Sequence, residues 1–185
     1  MKKNLFISIL LSAVLFISWA SCQKVATTQV ALPGNEILTT MVIKAININD
    51  ATDTPSAKWV QLDPTGAKLP DTSHSTLVLR DSASYNVTIQ FLDTLSDITS
   101  GIKVKENYHI ICFDAPNSNL IVKRMDHDTN PKQYEVGLVD LFTTTGISAG
   151  KLEITLHHQP NVKDGTCTPG SIDMDATFNV NIILH

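Results

Sequence analysis

Tyr85-Asn86-Val87-Thr88-Ile89-Gln90-Phe91 places large apolar side chains at every odd position and polar ones between them. Successive side chains of an extended chain point to opposite faces, so this stretch predicts a half-buried β-strand and not a helix. The alternation recurs in Leu152, Ile154 and Leu156 against Glu153 and Thr155, and in Phe178, Val180, Ile182 and Leu184 against Thr177, Asn179 and Asn181.

Less regular candidates run over 38–48, 58–62, 75–79, 108–113, 120–125 and 136–142, which makes about nine strands. Asp63-Pro64-Thr65-Gly66, Asp81-Ser82-Ala83, Ala115-Pro116-Asn117, Asn130-Pro131 and residues 161–170 supply turn chemistry between them. Only 97–102 reads as a helical turn. Many short strands without a long amphipathic helix predict an all-β fold, an antiparallel β-sandwich of immunoglobulin-like type.

The first residues follow a different logic. Lys2 and Lys3 precede an apolar run, Leu5 to Ile17, that is interrupted by Ser8 and Ser12 and is too short for an ordinary membrane span. This is the pattern of an N-terminal signal peptide. Ser18-Trp19-Ala20 would suit an ordinary signal peptidase, whereas Ala20-Ser21-Cys22 resembles a lipobox, with Trp19 in place of its usual aliphatic residue. The lipobox reading makes residues 1–21 a lipoprotein signal peptide, Cys22 the lipidation site, 22–36 a flexible tether and 37–185 the β-sandwich domain. It puts the protein in the cell envelope, as an outer-membrane lipoprotein facing the periplasm or the cell surface, with the membrane as partner through the lipid anchor.

About 164 residues remain after processing at Cys22, enough for one well-buried domain. Fourteen basic and eighteen acidic residues are spread without a basic stripe or interleaved aromatics, which argues against nucleic acid as a partner. Cys112 and Cys167 are then the remaining cysteines. An oxidising compartment allows them to form a disulfide; the other reading is a buried Cys112 packed as a small hydrophobe and a loop thiol at Cys167. Spacing leaves both open.

His109 is in phase with Ile111 and Phe113, and His158 continues the apolar face of Leu152, Ile154 and Leu156, while His157 falls on the solvent face. A histidine on an apolar face ordinarily satisfies its ring nitrogens within the protein. The alternative is a pair of ligands for a transition metal, completed by Cys112, Asp114 or Asp140. Asp126, Asp128 and Asn130 have the alternating oxygens with which a calcium loop opens, and so form a candidate cation loop. Pro131 and Gly137 stand where such a loop needs glycine and glutamate, as in an ordinary polar hairpin tip. Asp173 and Asp175 read as carboxylates that blunt a sheet edge. No G-x-S-x-G elbow, P-loop, H-E-x-x-H or Rossmann fingerprint occurs, so no enzyme is expected.

His158-Gln159-Pro160, Lys163-Asp164-Gly165, Gly170 and the Asp-x-Asp strand that follows resemble a group of small bacteroidete lipoproteins of uncharacterised function, commonly labelled as having a type 1 periplasmic-binding fold. Asp97-Ile98-Thr99 leading to His109, and Asp126-x-Asp128-x-Asn130 ahead of Gly137-Leu138, belong to the same likeness. Lys103, Lys105 and Glu106 stand where that group has an acidic run. A fold of that label needs two α/β lobes, whereas the strand pattern predicts a sandwich.

The resemblance implies association with outer-membrane uptake through TonB-dependent receptors. The expected function is therefore a non-enzymatic accessory component of nutrient or metal uptake that binds a ligand or an outer-membrane receptor. The alternative is a structural or adhesion module without a small ligand.

Overall fold

The computed structural model describes residues 38–184 apart from Pro64, Gly66 and Leu95. The expected signal peptide, Cys22 and the tether lie outside the described residues.

The chain runs β1 (Thr40–Asn47), β2 (Ser56–Val60), β3 (Thr76–Arg80), β4 (Ser84–Asp93), β5 (Ser96–Asp97), α1 (Thr99–Val104), a 3-10 turn (Glu106–Tyr108), β6 (His109–Asp114), β7 (Leu120–Arg124), β8 (Val139–Thr144), β9 (Ser148–His158) and β10 (Ser171–Ile183). One sheet has the order β2-β1-β4-β8-β7, with β5 paired to β4; the other has the order β3-β10-β9-β6. The fold is an all-β sandwich.

The alternation seen in the sequence decides which face each sheet buries. Tyr85, Val87, Ile89 and Phe91 of β4 join Met41, Ile43 and Phe142, and these pack with Leu77, Leu79, Leu152, Ile154, Leu156, Phe178, Val180 and Ile182 of the second sheet. Full burial of each such side chain contributes roughly 1.5–3 kcal/mol, so this shared layer is what holds the sheets together.

Four details depart from expectation. The β3–β10 pairing is parallel, because the chain changes sheets between β3 and β4 instead of forming a hairpin. Ser82 takes φ 54° at that crossing. The Thr144 hydroxyl fastens it, accepting from Ala83 N at 2.9 Å and lying 2.7 Å from the Arg80 carbonyl.

The strand expected from Val136 starts only at Val139, although Val136 and Leu138 are buried. Between them Gly137 has φ +93°, and a Cβ there would meet Ile111 at 3.0 Å. The helical turn is displaced to α1. The final strand begins at Ser171, ahead of the alternating stretch, and is interior to its sheet, so Asp173 and Asp175 do not blunt an edge.

Candidate metal centre

β6 and β9 are antiparallel neighbours, and their register sets His109 directly opposite His158. The rings are 4.8 Å apart between centroids and tilted by 48°. The two histidines therefore converge as neighbours within one sheet. His109 is 5% exposed, and His158 is half-buried.

The third member comes from a local irregularity. Ser171 pairs with His158, Ile172 with His157, and Met174 with Leu156, so Asp173 is an extra residue on β10. Such a bulge redirects a side chain that regular pleating would send elsewhere. Asp173 Oδ2 lies 3.7 Å from His109 Nε2 and 3.5 Å from His158 Nδ1. One donor atom from each of the three residues lies within 4.8 Å of the others.

The tautomer of His109 follows from its other nitrogen. Nδ1 is 3.0 Å from the Lys105 carbonyl oxygen, which can only accept, so Nδ1 carries the hydrogen. In the neutral ring Nε2 then presents a lone pair to the Asp173 carboxylate. Two acceptors facing each other repel, and a cation between them reverses the sign. Both separations exceed a good hydrogen bond. They are close to the roughly 3.3 Å expected between two donors of a tetrahedral ion bound at about 2.0–2.1 Å. Asp173 Oδ1 is buried without a hydrogen-bond partner.

Burial holds the His158 imidazole below its usual pKa, with the charges of His109 and Lys105 acting the same way and Asp173 opposing. The neutral ring is the form that binds metal. A backbone carbonyl on the second nitrogen of His109 is also the usual way in which a ligating imidazole is oriented.

The other ligands suggested by the sequence are elsewhere. Cys112 is bonded to Cys167, with Cα atoms 6.1 Å apart. Asp114 is exposed at the far end of β6, and Asp140 is on the opposite sheet. His157, expected on the solvent face, is buried. That face of the sheet also carries Cys112, and the disulfide brings the segment around Cys167 over it. Burial lowers the His157 pKa, and its Nε2 is 2.9 Å from the Thr155 hydroxyl.

The candidate cation loop does not assemble, because a lysine takes the cation's place. Lys163 Nζ lies 2.7 Å from Asp128 Oδ2 and donates to the Glu106 carbonyl at 2.9 Å, with both charged side chains almost wholly buried. Asn130 donates to the same carboxylate oxygen at 2.8 Å, and Tyr134 N donates to its other oxygen. Burial pushes the Asp128 pKa up, but the Lys163 and Asn130 hydrogen bonds and the lysine charge outweigh it, and the net shift is downward. Asp126 is committed to the backbone N–H groups of Gly137 and Leu138.

A cleft of about 430 Å³ is lined by Phe113, Leu120, Val122, Arg124 and Glu135. Arg124 spends its donors on the Ile111 carbonyl and on Glu135, so the cleft wall is internally paired.

Asp173 is the site residue that sequence reading misses. Only the β9–β10 register, shifted by the bulge, brings it to the histidines. Comparison of the chain with protein-family models, with curated proteins and with solved structures finds no match. No helix among the described residues is long and apolar enough to cross a membrane.

Proposed function

We propose that this chain is a non-enzymatic envelope lipoprotein whose β-sandwich binds a divalent transition-metal ion through His109, His158 and Asp173, as an accessory component of metal or nutrient uptake at the outer membrane. The observation that carries the metal reading is the convergence of two imidazoles and a carboxylate oxygen within 4.8 Å. Two nitrogens and one oxygen suit zinc and its first-row neighbours, and three protein ligands leave a tetrahedral ion one further position. Envelope attachment is supported by the lipobox-like Ala20-Ser21-Cys22 and by the likeness to bacteroidete lipoproteins. The same likeness supports a receptor in the outer membrane as partner.

The test is calorimetric titration of metal-free protein with zinc. One ion per chain is expected, with a rise in melting temperature that a chelator reverses, because an ion that binds only the folded state stabilises it by mass action. His109→Ala and Asp173→Asn should each weaken binding by about 100-fold. The competing occupant of the gap is a proton. A folded wild-type protein that takes up no zinc, or an Asp173→Asn variant that binds it as tightly as wild type, would refute the metal reading and leave the structural or adhesion module.

A further inference from the structure

We propose that the Cys112–Cys167 disulfide and the His109, His158 and Asp173 site are coupled, so that reducing the bridge weakens metal binding; this rests on the metal-binding reading above.

The residues between β9 and β10, 159–170, leave directly from His158 and return to the strand that carries Asp173. The loop is therefore the covalent connection between two of the three ligands, and its conformation sets where β10 begins relative to β9. The end near His158 is pinned by Lys163 on Asp128 and on the Glu106 carbonyl. Gln159, fully buried, accepts from Val162 N at its backbone carbonyl and donates through Nε2 to the carbonyls of Thr166 and Pro169. Its backbone N–H bonds the Tyr108 carbonyl at 2.6 Å, next to His109.

The end near Asp173 is held by the disulfide. Cys167 is joined to Cys112, which lies on β6 in the same strand as His109. The bridge thus ties the segment leading into Asp173 to the strand of the third ligand. Without it, residues 164–170 keep the Gln159 contacts, the packing of Gly165 near Tyr134 and the approach of Arg124 to Cys167, but lose their covalent tie to β6, the constraint that helps turn the Asp173 carboxylate to the histidines.

The bridge is open to exchange from one side, since Cys167 is exposed and Cys112 is buried. A dithiol reductant would attack the Cys167 sulfur as thiolate and expel the Cys112 thiolate, which takes up a proton. Its second thiol would then displace Cys167, whose departing thiolate lies near the Arg124 guanidinium, with Nη2 3.5 Å from the sulfur. The protein gains two electrons and two protons, and the reductant becomes a disulfide.

Coupling is reciprocal, so the ion should in turn favour the oxidised bridge. The test compares full-length oxidised protein with protein that has been reduced and alkylated with iodoacetamide, which keeps the freed thiols from acting as ligands. Zinc affinity is read by competition with a chromophoric chelator. At least about a tenfold loss on reduction is expected. In addition, zinc should shift the midpoint potential of the wild-type bridge, relative to that of His158→Ala, downward by about 30 mV for each tenfold loss.

The second measurement does not depend on the alkylated protein staying folded. Unchanged zinc affinity after reduction, in a protein where His158→Ala abolishes binding, would overturn the coupling and leave the site standing. A zinc-induced shift of the wild-type midpoint potential no more negative than that of His158→Ala, whose freed thiols can bind zinc in the same way, would also overturn it. Failure of the oxidised protein to bind zinc would overturn the metal reading itself.

Discussion

Asp140 offers a test of how this core treats a charge. It sits on β8 between Val87 of β4 and Arg124 of β7, on the same face as Phe142, is 1% exposed, and neither carboxylate oxygen has a hydrogen-bond partner. Burial, joined by the negative charges of Asp126 and Glu135 and opposed by Arg124, pushes its pKa from 3.8 up to about 8. An unfolded chain releases this proton near 3.8, whereas the folded chain keeps it until about 8. Between those values the folded state binds more protons, so stability from this group falls as pH rises and levels off above about 8.

The shift is about four units, equivalent to at most about 6 kcal/mol. Rearrangement that hydrates or pairs the ionised carboxylate reduces the figure. Asp140→Asn keeps the shape and removes the titration. Denaturant unfolding followed by Trp59 fluorescence across this pH range should give the variant a stability within about 1–2 kcal/mol of wild type near the acid end, where the wild-type carboxyl is protonated, and an advantage of about 2–4 kcal/mol near the alkaline end. Taking the difference between the two proteins cancels the contributions of the other titrating groups. A difference that stays constant with pH would show that Asp140 is ionised in the folded protein throughout, and the reasoning from burial would fail.

Gly170 has φ +86°, and a Cβ there would collide with the His158 carbonyl, so Gly170→Ala should destabilise the fold by about 2–3 kcal/mol and weaken zinc binding as well, read by thermal unfolding and metal titration. An alanine variant with wild-type stability would mean that the loop does not press on β9. Lys163→Met strands the buried Asp128 carboxylate and should lower stability by about 3–5 kcal/mol, while adding Asp128→Asn should recover a large part of the loss; chemical denaturation of the single and double variants measures this. Cys22→Ala should release the protein from membranes without changing the thermal unfolding of the domain, and its continued sedimentation with membranes after a high-salt wash would rule out lipid as the anchor.

The strands that carry the core were legible because their side chains alternate without interruption, as in β4 and the second half of β10. The opposition of His109 and His158 was half legible: phase put both on the apolar side, but which strands pair, and in what register, depends on long-range packing that local periodicity does not encode. Asp173 was illegible for a sharper reason. One extra residue reverses the face of everything before it, and no local signal in Ser171-Ile172-Asp173 marks the bulge. The burial of His157 was missed because a loop covers a face that alternation assigns to solvent. The Asp126 to Asn130 stretch was readable as oxygen-rich, yet the cation that meets Asp128 is a side chain more than thirty positions further along the chain.

The parallel pairing of β3 with β10 has a consequence for the order of assembly. Thr76 is matched to Asn179, and the strand inserted between β3 and β9 is the last to be made among the described residues. A ribosome that has made everything up to β9 has supplied three strands of the second sheet, of which β6 and β9 pair directly, but not the strand that joins β3 to them. Local hairpins such as β7–β8 can close early, but β3 must wait for β10 and then close a loop of about a hundred residues. Completion of the sandwich therefore waits on β10, and β3 stays outside its sheet until that strand is made.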